Sequence, residues 1–131
     1  MGHVLGVGAL WTAFDLLKGA GTQNPTFVGA GAMAEFAALL GEEDPVPVPV
    51  ANFGGPGTQD SHWREAVFVT ELMSPFISGA GNPLSRMTAA SLGDPGYQVD
   101  LEGPNPTHCR TCSRSPGRAP SCRTQRRSVT A

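Results

Sequence analysis

The strongest constraint on this 131-residue chain is where its large apolar side chains stop. Residues 102–131 contain no Leu, Ile, Met, Phe, Trp or Tyr, and a single valine, Val129. Without such side chains a segment cannot bury enough surface to offset the entropy of ordering its backbone. Any core must therefore be built within residues 1–101, and the chain has room for one domain. The tail, 102–131, is expected to be disordered.

Charge changes at the same boundary. Residues 1–101 set Lys18, Arg64 and Arg86 against ten acidic side chains, a net of −7, whereas the tail sets six arginines against Glu102, a net of +5. The tail's vocabulary of Arg, Ser, Pro, Thr, Gly, Ala and Cys is also what GC-rich DNA yields when read out of frame. A frameshift near Leu101 is the expectation for its origin. His108, Cys109, Cys112 and Cys122 form a permissible zinc set by type, but the histidine adjoins a cysteine and no second closely spaced pair follows. The arginines lack interleaved aromatic residues, so they offer weak, salt-sensitive attraction to polyanions and no specific nucleic-acid recognition. All three cysteines lie in the tail, so the body holds no disulfide framework.

Within the body the apolar spacing alternates between helical and extended. Val4, Leu5, Val7, Leu10, Trp11, Phe14 and Leu17 recur at helical intervals and predict a helix over 3–17, ended by Gly19-Ala20-Gly21. Thr26-Phe27-Val28 reads as a short extended piece, and Met33, Phe36, Ala37 and Leu40 mark a second helix over 30–40 closed by Gly41. In Pro45-Val46-Pro47-Val48-Pro49-Val50 each proline removes a ladder donor, so the segment suits a sheet edge or polyproline geometry. Asn52 to Gly57 is a glycine-rich loop leading to His62. Ser85 can cap a helix running through Leu92, and Asp94-Pro95-Gly96 is a turn. The fold class is α+β, mostly helix and irregular loops.

Two short stretches carry chemistry. Met1-Gly2-His3-Val4-Leu5-Gly6 has the form of the end of an H-E-x-x-H-x-x-G motif, and Ser61-His62-Trp63-Arg64-Glu65 is followed by Glu71-Leu72-Met73-Ser74-Pro75. A catalytic zinc takes three protein ligands and keeps a fourth position open, and imidazoles four apart on a helix point the same way. The metal lowers the pKa of its water, and a neighbouring glutamate accepts the proton during attack on a peptide carbonyl. Here the leading His-Glu pair of such a motif is expected to be missing, with the chain starting inside its own active-site helix.

These residues resemble the metzincin metalloproteases, and among them the leishmanolysin type, over roughly residues 1–101. The common metzincin pattern puts its third histidine three residues after the motif glycine, where this chain has Ala9, and the next histidine is His62. A long insertion at that point is the leishmanolysin arrangement. The resemblance implies that residues 1–101 form the C-terminal subdomain of a metzincin zincin fold. It also implies His3 and His62 as zinc ligands, Gly6 as the motif glycine and Met73 as the Met-turn beneath the metal. Asn82-Pro83-Leu84-Ser85 and Gly96-Tyr97 resemble the segments that close the domain, although Pro95 stands where a leucine is expected.

The function implied is that of a fragment of a zinc metalloendopeptidase acting on peptide or protein substrates. It is expected to bind zinc weakly and to be inactive alone, since the first histidine and the general-base glutamate are absent. Glu65 is the nearest replacement base, and its plainer role is that of a turn carboxylate. The alternative is a non-catalytic binding module or decayed remnant. Met1 leads into an amphipathic stretch without a basic leader, and no apolar run is long enough to span a bilayer. Full-length relatives of this type are typically secreted or surface-bound. A helix over 3–17 without a sheet to pack upon would leave an apolar stripe in solvent, making the chain association-prone.

Overall fold

The computed structural model describes residues 2–77, 79 and 81–104. Its elements in chain order are α1 (Gly2–Leu5), β1 (Leu17–Lys18), β2 (Thr26–Phe27), α2 (Ala30–Leu40), β3 (Val48–Pro49) and α3 (Arg86–Gly93). The three short strands form an antiparallel sheet in the order β1-β2-β3, with Leu17 opposite Phe27 and Phe27 opposite Val48. The mixed α+β class holds, but with a smaller helical share than the spacing suggests. No helix among the described residues is long and apolar enough to cross a membrane.

The helix expected over 3–17 is the main correction. It stops after four residues, because Gly6 adopts φ +113° and closes α1 with two backbone bonds, Gly6 N–H to His3 O at 3.1 Å and Val7 N–H to Gly2 O at 3.0 Å. That pair of bonds is the Schellman arrangement, in which the residue after the helix turns left-handed. Gly8, at φ +74°, breaks the helical path a second time. The chain continues as turns to β1, and Gly19 and Gly21 shape the β1–β2 connection rather than end a helix.

This folding divides the apolar stripe. Val7, Trp11 and Leu17 enter the core, whereas Val4, Leu5 and Phe14 remain exposed. Once inside, Trp11 meets Phe27 at 5.0 Å and Trp63 at 4.7 Å between ring centroids, and Phe68 bridges Trp63 to Phe36 on α2. The core is thus an aromatic cluster spread over four chain segments, completed by Val48, Val50, Met73 and Met87. Aromatic pairs in such tilted and edge-to-face arrangements add about 0.5–1.5 kcal/mol each beyond their buried area.

The other expected elements form. α2 occupies Ala30–Leu40 with Gly41 left-handed at its end. β3 is the last strand of the sheet, so its proline-rich sequence lies at the edge, where Arg64 N–H bonds Pro49 O at 3.0 Å. Ser85 caps α3, its hydroxyl accepting from Thr88 N–H at 3.0 Å. The residue before α2, Gly29, has no side chain to cap it, and Asp94 beyond α3 takes that role by accepting from Gly31 N–H at 2.7 Å and Ala32 N–H at 3.1 Å. This contact holds α2 against α3. The tail expectations, including the zinc set at His108, Cys109, Cys112 and Cys122, fall outside the described residues apart from Glu102 to Pro104.

Candidate functional site

Two backbone features bring the distant histidines together. Val50 forms an isolated bridge with Trp63, and Ala51 N–H bonds His62 O at 2.8 Å, so the Asn52–Ser61 loop returns to the sheet edge just at His62. Opposite it, Gly8 packs so tightly on this loop that a Cβ there would lie 2.1 Å from the Ser61 carbonyl oxygen. Only glycine permits that approach, both sterically and at positive φ. The turn after α1 is thereby pressed onto the residue preceding His62.

The result is an imidazole pair. His3 Nε2 and His62 Nε2 lie 3.1 Å apart, with ring centroids at 4.6 Å and ring planes at 74°. His3 Nδ1 meets the Val7 carbonyl at 2.7 Å, which can only accept, so that nitrogen carries the proton and Nε2 presents a lone pair. His62 Nδ1 lies 3.2 Å from both the Thr58 carbonyl and the Ser61 hydroxyl. It has a partner for either tautomer. With the Ser61 hydroxyl donating to Nδ1, His62 Nε2–H donates to His3; with Nδ1–H donating to Thr58, both Nε2 lone pairs converge on one point.

The second state suits a cation. Two nitrogens bound to one tetrahedral zinc lie about 3.3 Å apart, given Zn–N distances near 2.0–2.1 Å. The observed separation is close to that edge, and both Nδ1 atoms have the carbonyl partners that orient metal-binding imidazoles. Burial pushes the His62 pKa below the ordinary histidine value; the Thr58 carbonyl works against this and the neighbouring His3 adds to it. A lowered pKa favours the neutral imidazole that a metal requires.

Met73 is buried against Gly2 and Trp63, the chain neighbours of the two histidines. Its thioether packs against α1, where a Cβ at Gly2 would lie 2.6 Å from Sδ, and its carbonyl accepts from Trp63 N–H at 3.0 Å. Residues 71–74 turn, with Ser74 N–H bonding Glu71 O, and Leu72 N–H bonds Pro83 O at 2.9 Å, which ties in the Asn82–Ser85 segment. Of the expected site residues, His3 and His62 meet directly, Gly6 bonds the His3 carbonyl at the end of α1, and Met73 contacts the residue beside each histidine. Glu65 does not join them: it sits in the turn after Arg64, hydrogen-bonds neither imidazole, and has its Oε2 buried without a partner among the described residues.

The described residues contain no group of three or more His, Cys, Asp or Glu placed to hold a metal, so the imidazoles stand as a pair. One residue that the spacing does not reveal is Glu71, which is 1% exposed and whose carboxylate accepts from Ser85 N–H at 3.1 Å, Ser85 hydroxyl at 2.8 Å, the Thr88 hydroxyl and Met73 N–H. Its one sequence signal is a charge directly before the apolar Leu72-Met73. Gly96 and Tyr97 line a separate open hollow of about 240 Å³ with Leu10, Phe14 and Pro95, which includes neither histidine. No known protein family, curated protein or solved structure matches this chain.

Proposed function

We propose that residues 1–101 are the C-terminal part of the catalytic domain of a leishmanolysin-type zinc metalloendopeptidase, with His3 and His62 as two of the metal ligands. The observation that carries this reading is the 3.1 Å approach of their Nε2 atoms across 59 residues of sequence. Gly6, which ends α1 three residues after His3, and the buried turn at Met73 support it. A zinc ion held by these imidazoles would supply Lewis-acid polarisation of a peptide carbonyl. The chain's own contribution is to fix the two rings: Val7 and Thr58 orient them through Nδ1, and Met73 packs behind α1.

Two imidazoles make a weak site beside the usual three or four ligands. Since no third ligand or carboxylate joins them among the described residues, peptide hydrolysis on this reading needs groups from outside those residues. The chain by itself should bind zinc weakly and cleave nothing. Calorimetric titration of zinc into the whole chain, beside His3→Ala and His62→Ala, tests the reading. Wild type is expected to show a binding event that both variants lose. Identical isotherms for all three would overturn the assignment, and leave a non-catalytic binding role as the working description.

A further inference from the structure

We propose that Glu71 is the positioning residue of the imidazole pair, an inference that rests on the zinc-site reading for its purpose and on buried hydrogen bonds for its geometry. Burying a charged carboxylate is costly unless donors surround it. Four donors do so here, and they come from separate parts of the site. Oε1 takes Ser85 N–H, the Ser85 hydroxyl and the Thr88 hydroxyl from the start of α3, while Oε2 takes the backbone N–H of Met73.

Both histidine carriers hang from this hub. Met73, held through its N–H, packs its thioether against Gly2 beside His3 and offers its carbonyl to Trp63 N–H beside His62. Thr88, held through its hydroxyl, accepts from Trp63 Nε1 at 2.8 Å. Trp63 is thus tied to Glu71 from its backbone and from its indole, and the peptide between His62 and Trp63 is fixed in both directions. One carboxylate sets the register of His3 against His62.

The substitution Glu71→Gln separates positioning from general support. An ionised carboxylate only accepts, whereas the amide has one accepting and one donating end. With its oxygen kept on the three α3 donors, its NH2 faces the Met73 N–H, so the bond to Met73 is lost while the cap of α3 survives. The expected result in the zinc-free chain is loss of the inter-ring nuclear Overhauser effects between His3 and His62, with α3 contacts retained. Zinc should then bind 10–100-fold more weakly, the usual effect of removing an outer partner of a metal site. Asp94→Ala, which weakens the fold far from Glu71, should keep the inter-ring effects.

Retained inter-ring effects in a folded Glu71→Gln chain would overturn the proposal, as would their equal loss in Asp94→Ala. If Glu71→Gln does not fold, hydrogen exchange in wild type decides. The Met73 amide should be protected as well as the α3 amides, and fast exchange at Met73 beside a protected α3 would overturn the proposal. Because the ring contacts are read without metal, failure of wild type to bind zinc would count against the peptidase reading and leave this inference standing or falling by itself.

Discussion

Replacing Gly8 by alanine should damage the chain in two separable ways. The first is conformational: at φ +74° an L-residue in the left-handed region costs about 1–2 kcal/mol. The second is steric, because the new methyl would sit 2.1 Å from the Ser61 oxygen and 2.8 Å from its carbonyl carbon. Restoring ordinary contact requires a shift of roughly 1.3 Å between two backbone segments, and overpacking of this kind typically adds about 1–3 kcal/mol. The total, about 2–5 kcal/mol, is a large part of the stability of a domain this size, which is about 5–15 kcal/mol. Gly21→Ala is the matched control, since Gly21 has φ +76° but open space around its missing Cβ. Urea unfolding followed by the fluorescence of buried Trp11 and Trp63 gives both costs. Gly8→Ala should exceed Gly21→Ala by about 1–3 kcal/mol and should separate His3 from His62. Equal losses would refute the close approach of Gly8 to Ser61, and with it the explanation of how the histidines meet.

Stability should also depend on pH through His62, whose pKa is pushed below 6.5 by burial. The unfolded chain then binds more protons than the folded one between the lowered value and 6.5. The His62 contribution is therefore complete above about pH 6.5 and is lost as pH falls through the lowered value. Comparing urea midpoints at pH 7.5 and 5.5 should show a larger acid loss in wild type than in His62→Ala, and equal losses would contradict it. Asp94→Ala removes two charge-assisted bonds from the start of α2 and should cost about 1–2 kcal/mol, with faster hydrogen exchange at Gly31 and Ala32. Unchanged exchange there would show that Asp94 does not cap the helix. Trp63→Phe keeps an aromatic ring but deprives the Thr88 hydroxyl of its 2.8 Å donor and should cost about 1–3 kcal/mol by urea unfolding; a neutral substitution would contradict the link from Trp63 through Thr88 to Glu71.

Local signals in the sequence foretell much of the fold. The 30–40 periodicity followed by Gly41, and Ser85 ahead of Arg86, specify α2 and α3 because caps act within one turn of the helix they limit. The prolines between 45 and 50 place β3 at an edge for an equally local reason. The failure over residues 3–17 is instructive, since the spacing of Val7 and Trp11 does mark core residues, yet Gly6 and Gly8 take φ values that no continuous helix allows. Apolar period reports burial, and glycine decides the backbone path. The meeting of His3 and His62, the cap from Asp94 and the hub at Glu71 each join residues 59, at least 62 and at most 17 positions apart. The turn residues around Asp94 and the apolar Leu72-Met73 after Glu71 mark local features, but neither names the distant donors that each carboxylate accepts from. The histidines could be paired in advance only through the resemblance carried by the short stretch around each.

The central claim is that His3 and His62 form one cation site through their Nε2 atoms, and nitrogen-resolved NMR of the ring resonances during a zinc titration tests it most directly. The imidazole geometry predicts that both Nε2 signals move together on the same binding curve, while both Nδ1 atoms stay protonated against Val7 and Thr58. Zinc held elsewhere in the chain, such as by tail cysteines, would leave these signals still. If neither Nε2 responds, or if each responds on its own curve, the two rings do not share a metal and the peptidase reading fails.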